Sequence, residues 1–185
     1  MSYEQENKQA LVAYFNEGAK GGKPLGALGV EVEHFVVTAE GEHPVSYAGG
    51  EGEFGVRDVL AHLADAYPRH THGLEGDLIG LASDEASITL EPAAQLEISI
   101  APYLSIGQIL RVYSEFRSKV DLFLAEHGCK LVTSGYHPTA RALELTLIPK
   151  QRYRFMNDYF MEIGTRGERM MRASASTQVS VDYRD

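Results

Sequence analysis

The chain has 185 residues, 44% apolar and 23% charged, enough for one domain with a sizeable core and ordinary for a globular protein. A formal net charge of -9 and the lack of any basic cluster argue against nucleic acid as a partner, because a phosphate backbone requires grouped Lys and Arg. No apolar run is long enough for a membrane span, the polar start Met1 to Lys8 is no signal peptide, and Cys129 as the only cysteine permits no intrachain disulfide, so a soluble cytoplasmic protein is expected.

In chain order, Tyr3 to Gly18 reads as a helix with Ala10, Leu11, Tyr14 and Phe15 at helical spacing and Gly18 as its stop. The glycines and lysines of Gly18 to Lys23 lack the spacing, the following Ser or Thr and the preceding strand of a phosphate loop, so a flexible turn is expected there. Ala27 to Val37 reads as a strand that alternates Val30, Val32 and Val36 with Glu31, Glu33 and Phe35. Residues 39 to 54 read as a loop or short hairpin whose Glu40, Glu42, Glu51 and Glu53 are solvated. Val56 to Tyr67 is an amphipathic helix with Val59, Leu60 and Leu63 inward, ended by Pro68, and its His62 is structural. Arg69 to Gly73 is a loop, Asp77 to Ala82 a strand and Ser83 to Ala86 a turn.

The stretch Ile88 to Ile100 organises the rest. Gln95, Glu97 and Ser99 alternate with Leu96, Ile98 and Ile100, a period of two. Pro92-Ala93-Ala94 is short and contains a residue that cannot donate to a central ladder, so a hairpin with a three-residue loop is expected, pairing Glu91 with Gln95 and Thr89 with Glu97. With the preceding strand this makes a meander of three strands. Ser105 caps a helix running to His127, whose apolar stripe from Ile106 to Leu124 covers the back of the sheet and which Gly128 stops. Lys130 to Tyr136 is a strand, Ala140 to Leu147 a short helix or loop, and Lys150 to Ile163 a helix ended by Gly164. Ala173 to Tyr183 is a strand with Ser174, Ser176, Gln178, Ser180 and Asp182 on one face.

Three strands thus carry an acid- or amide-lined face, which favours one shared concave polar surface on an antiparallel sheet backed by helices, an α+β fold. Two like charges about 4 Å apart repel by roughly 4 kcal/mol at an effective dielectric near 20, so a cation or a proton must offset their meeting. Mg²⁺, a hard cation that bridges protein carboxylates to substrate phosphates, is the economical answer.

The ordered motifs Gly29-Val-Glu-Val-Glu33, Thr89-Leu-Glu-Pro-Ala-Ala-Gln-Leu-Glu-Ile-Ser99, Pro149-Lys-Gln-Arg-Tyr153 with Met156 and Tyr159, and Met170-Met171 leading to Gln178-Val-Ser-Val-Asp182 resemble those of plant and bacterial glutamate-cysteine ligases over nearly the whole chain. The resemblance implies a glutamine synthetase-like ligase fold, and ATP-dependent joining of L-glutamate to L-cysteine through a γ-glutamyl phosphate, the first step of glutathione biosynthesis. It implies Glu31, Glu33, Glu91 and Glu97 as metal ligands, Gln178, Lys150 and Asp182 near the nucleotide, Gln95 and Tyr153 at the substrate, and Arg152 in catalysis. The family's hairpin usually has Gly-Gly where Ala93-Ala94 stand, its last strand often has Asn at the place of Ser180, and its arginine falls one residue after Arg172. The family runs to well over twice this length, so residues 1–185 are expected to be a single domain forming the N-terminal portion of a longer catalytic domain. The alternatives are a relative joining glutamate to a different amine, a hydrolase using paired carboxylates, and a piece that only binds metal, nucleotide or a partner chain. Sequence leaves the oligomeric state open.

Overall fold

A computed structural model describes residues 2–19, 21 and 26–183. The first helix, α1 (Tyr3–Gly18), starts where expected because Ser2 and Gln5 cap each other reciprocally, Ser2 Oγ accepting from the Gln5 amide and Gln5 Oε1 from the Ser2 amide. None of its residues is buried. Most of the turn expected at 18–23 lies outside the described residues.

The strand β1 (Leu28–Thr38) is the centre of the sheet. Its alternation places Val30, Val32, His34 and Val36 on one side, the first three opposite Ile100, Ile98 and Leu96 of β5 (Leu96–Tyr103). Upstream of β5 the chain winds back and forth as β2 (Arg69–His72), β3 (Leu78–Ala82) and β4 (Ala86–Leu90). The meander therefore has four strands rather than three. The loop expected at Arg69–Gly73 is an exposed edge strand pairing with β3; with no buried side it has no apolar alternation to betray it. On the other edge of β1, Phe35–Thr38 pair with β6 (Cys129–Val132) and Leu28–Val32 pair with β7 (Thr177–Val181). All these pairings are antiparallel, as expected.

The apolar side carries Ile88, Leu90, Leu96, Ile98 and Ile100 into the main core, where α2 (Val56–Leu63) contributes Val59, Leu60 and Leu63. The long helix α3 (Ile106–Glu126), capped by Ser105 and ended at the left-handed Gly128, adds Ile109, Val112, Phe116, Val120 and Leu124. Its Ile106 and Leu110, read into the same stripe, are exposed. A short 3₁₀ turn (Ala64–Ala66) carries α2 to Pro68, and His62 stacks on Phe123 with 4.1 Å between ring centroids, the structural part expected of it. Cys129 is a buried strand residue whose thiol donates to the His127 carbonyl, and burial pushes that thiol up.

Beyond β6, Ala142–Glu144 form a single 3₁₀ turn, followed by α4 (Gln151–Ile163) and α5 (Gly167–Ala173). The final strand, expected over Ala173 to Tyr183, is shorter and spans Thr177–Val181, because Ala173 still belongs to α5 and Ser174 only bridges to Tyr136. Among the described residues no helix is long and apolar enough to cross a membrane.

Candidate functional site

The hairpin register places Thr89 opposite Glu97, and the Glu91 amide donates to the Gln95 carbonyl. The turn closes because Ala94 adopts a left-handed conformation, φ 65°, a place where glycine would be unstrained. Across the next ladder Glu97 stands opposite Glu33 and Ser99 opposite Glu31. Across the far ladder Gln178 stands opposite Glu31 and Ser180 opposite Gly29. Directly opposed residues share a face. Glu31, Glu33, Glu97 and Gln178, drawn from three strands, therefore meet on the side of the sheet away from α2 and α3, with Glu91 at the hairpin end.

The four carboxylates are satisfied unequally. Both oxygens of Glu33 are taken, by the Ser176 amide at 2.9 Å and hydroxyl at 2.8 Å and by Gln178 Nε2 at 3.3 Å. One oxygen of Glu97 accepts from both Thr89 Oγ1 at 2.7 Å and Ser99 Oγ at 3.0 Å. Glu91 Oε1 accepts from the Tyr153 hydroxyl at 3.3 Å. Among the described residues Glu31 accepts from no side chain, and the second oxygens of Glu91 and Glu97 have no donor. Desolvation, then the charges of Glu97 and Glu33, push the Glu31 carboxyl up. The same order of causes raises Glu91, against a smaller lowering by Tyr153 and Lys150. Of the charges common to both, Glu97 has the larger effect. Repulsion of this kind is relieved by a proton or a cation.

Oxygen-only donors, spare lone pairs and mutual repulsion make the set chemically suited to a hard divalent cation. Among the described residues no three acidic, imidazole or thiol groups already converge as a formed nest. A shared face without a cage agrees with how Mg²⁺ is usually held, by one or two carboxylates with the remaining positions filled by water and substrate phosphate.

The other residues singled out by sequence fall into three groups. Lys150 and Tyr153, at the start of α4, reach the site: the Lys150 ammonium donates to the Tyr153 hydroxyl at 3.3 Å, and that hydroxyl reaches Glu91. Burial and then the Glu91 charge raise the Tyr153 hydroxyl, which stays protonated as a donor. Arg152 is exposed and makes no hydrogen bond or ion pair among the described residues, and Asp182 lies half-buried just past β7.

Gln95 requires a correction. Its position in the strand alternation is right, but residues 172–174 lie over it, and it is only 2% exposed. Its Oε1 accepts from the Ala93 amide at 2.8 Å, and its amide nitrogen donates to the carbonyls of Arg172 at 3.2 Å and Ser174 at 2.9 Å. Each polar atom is occupied, so Gln95 fastens the hairpin to the segment leading into β7 and offers nothing to a substrate. Gln95→Ala is expected to lower stability by about 2 kcal/mol by leaving buried backbone groups unpaired, read as a fall in the urea midpoint. Arg172 also works locally, donating to the Leu145 carbonyl at 2.8 Å and to Asn157 Oδ1 at 2.6 Å. His34 escaped the sequence reading, although its parity with Val32 and Val36 was the available signal: it is fully buried in the core, bonded to the Leu96 carbonyl and to Tyr113.

Comparison with known proteins adds an independent finding. The family model described as glutamate-cysteine ligase family 2 matches residues 27–185. Glutamate–cysteine ligase A, chloroplastic, of Oryza sativa subsp. japonica is 30% identical over 176 residues, which cover 95% of this chain and 34% of the rice protein. Glutamate–cysteine ligase, chloroplastic, of Arabidopsis thaliana is 29% identical over 177 residues, covering 95% of this chain and 32% of its own length. The Nicotiana tabacum protein of the same name gives 29% over 177 residues with the same coverage. The chain spans about a third of the length of the curated relatives it matches.

Proposed function

The chain belongs to glutamate-cysteine ligase family 2, and from that premise we propose that the carboxylate face is the metal- and nucleotide-handling side of an ATP-dependent ligase that makes γ-glutamylcysteine from L-glutamate and L-cysteine, the first step of glutathione biosynthesis. On this reading residues 1–185 are one domain of a glutamine synthetase-like ligase fold, corresponding to about a third of such an enzyme, and work in the cytoplasm. The rice and Arabidopsis relatives are chloroplastic by name.

The observation that carries the proposal is the meeting of Glu31, Glu33 and Glu97 in opposed register, with Glu91 at the hairpin end. Glu31, Glu91 and Glu97, which keep oxygens without donors among the described residues, would hold Mg²⁺; Glu33, whose Oε2 accepts only from the Ser176 amide, would join through the lone pair left on that oxygen. Bound there, Mg²⁺ would neutralise charge on the transferred phosphoryl group. The chain's own part is placement. Thr89 and Ser99 keep Glu97 fixed, and Gln178 presents an amide beside Glu31. Exposed Arg152 is a cation available to phosphate oxygens at the mouth of the face. Phosphorylation of the glutamate γ-carboxylate makes it electrophilic, and the amine of cysteine displaces the phosphate. No group for choosing the amine is assigned, so a relative with another acceptor is the neighbouring outcome.

The test is ADP release from ATP and Mg²⁺ with L-glutamate, adding L-cysteine or another amine in turn. Cysteine-dependent release is expected. Release supported equally by an unrelated amine would move the assignment to another acceptor, and glutamate- and amine-independent behaviour would end the ligase reading.

A further inference from the structure

Tyr153 is 3% exposed, its ring packed in the main core while its hydroxyl reaches the hairpin. That hydroxyl has one proton and two acceptors within reach, the Leu90 carbonyl at 3.2 Å and Glu91 Oε1 at 3.3 Å. Its oxygen in turn accepts from Lys150 Nζ, whose ammonium lies 4.6 Å from the centre of the same ring. A cation, a buried phenol and a carboxylate thus stand in series, joining the first turn of α4 to the end of β4. So little of Tyr153 is exposed that it has no surface to give a substrate, which leaves its hydroxyl to act on its neighbours.

We infer that Tyr153 is a positioning residue for Glu91, with Lys150 as its polarising partner: the hydroxyl holds one carboxylate oxygen against the hairpin and leaves the other for a ligand. Donation by the ammonium to the phenol oxygen makes its proton a better donor to Glu91. The Leu90 carbonyl gives the arrangement a second state. When Glu91 carries no charge, the hydroxyl proton turns to that carbonyl and no buried donor is left unpaired; with a cation bound, the carboxylate stays charged and keeps the hydroxyl's bond. This rests on the carboxylate-face reading above and adds to it a partner outside the ligand set.

The experiment uses the 185-residue chain, with Tyr153→Phe to keep the ring and remove the hydroxyl and Lys150→Met to keep the stem and remove the charge. Mn²⁺ is the probe, its binding followed by loss of the free-ion electron paramagnetic resonance signal. Each variant is expected to bind roughly tenfold more weakly, the effect typical of removing a ligand's outer partner. In parallel, urea midpoints of Tyr153→Phe, Glu91→Gln and the double variant are measured without metal, and the two single shifts are expected not to add. Parent-like Mn²⁺ affinity in Tyr153→Phe, or additive midpoints, would overturn the inference. If the parent itself binds no Mn²⁺, the cation reading of the face fails separately, and the urea cycle alone decides: coupled midpoints keep the link between hydroxyl and carboxylate, additive ones remove it.

Discussion

Lowering the pH from 6.5 to 4 is expected to remove about 3 kcal/mol of folding stability through a single buried side chain, His34. Its Nδ1 faces the Leu96 carbonyl at 3.0 Å and so carries the proton, leaving Nε2 to accept from the Tyr113 hydroxyl at 2.8 Å. A second proton, on Nε2, would force the Tyr113 hydroxyl to turn from donor to acceptor, and Arg117, which donates to the same hydroxyl, adds like charge. Burial above all, helped by Arg117, pushes the imidazole down from 6.5 to about 4. Above pH 6.5 neither the folded nor the unfolded chain protonates it. Between 6.5 and 4 the unfolded chain takes up the proton and the folded chain refuses it, so stability falls as the pH falls; below 4 the loss is complete. A gap of about two and a half pH units, at about 1.4 kcal/mol each, sets the size of the effect. The raised carboxyls of Glu31 and Glu91 work with the opposite sign, favouring the folded chain on acidification. Comparison with His34→Gln, which keeps a donor for Leu96, isolates the histidine: urea unfolding in steps from pH 7.5 to 4 should show a shallower acid limb in the variant. Identical limbs would remove His34 as the cause.

The second large effect is expected at Glu97. Its charge raises both Glu31 and Glu91 more than that of Glu33 does, and it stands opposite Glu33. Glu97→Gln keeps an oxygen for Thr89 and Ser99 while removing that charge, so the fold loses no hydrogen bond and the remaining carboxylates repel one another less. The metal-free variant is therefore expected to melt at a higher temperature than the parent. Its affinity for a divalent cation should nonetheless fall about a hundredfold, close to 3 kcal/mol, as a charged ligand becomes a neutral one. Gain of stability together with loss of binding separates a functional cluster from a solvated face, where the same substitution would do little.

How far the site could be read from sequence follows from the range of the forces involved. The period of two in β1, β5 and β7 is local, so the polar sides of these strands, the hairpin register and the pairing of Thr89 with Glu97 were legible before any coordinates. That the three sides coincide was legible only as an economy: one sheet satisfies all three. Gln95 shows the limit. Its covering partners Arg172 and Ser174 lie 77 and 79 residues away, and no local pattern announces that a segment will lie across an otherwise open face. Arg69–His72 were missed for a related reason, since an edge strand exposed along its whole length has no buried side to impose alternation. The motif brought Tyr153 out of the sequence, but neither its burial nor its contact with Glu91 was legible there, because both depend on α4 packing its ring into the core. His34 was readable by parity alone, yet an ionisable residue among valines is easily passed over.

The central claim, that Glu31, Glu91 and Glu97 form a divalent-cation site, is tested most directly by titrating the parent and Glu97→Gln with Mg²⁺ in a calorimeter in the absence of nucleotide. The account predicts saturable binding by the parent and binding about a hundredfold weaker in the variant, with the variant the more heat-stable of the two. No binding by the parent, or equal binding by both chains, would contradict it and return the carboxylate face to the solvent.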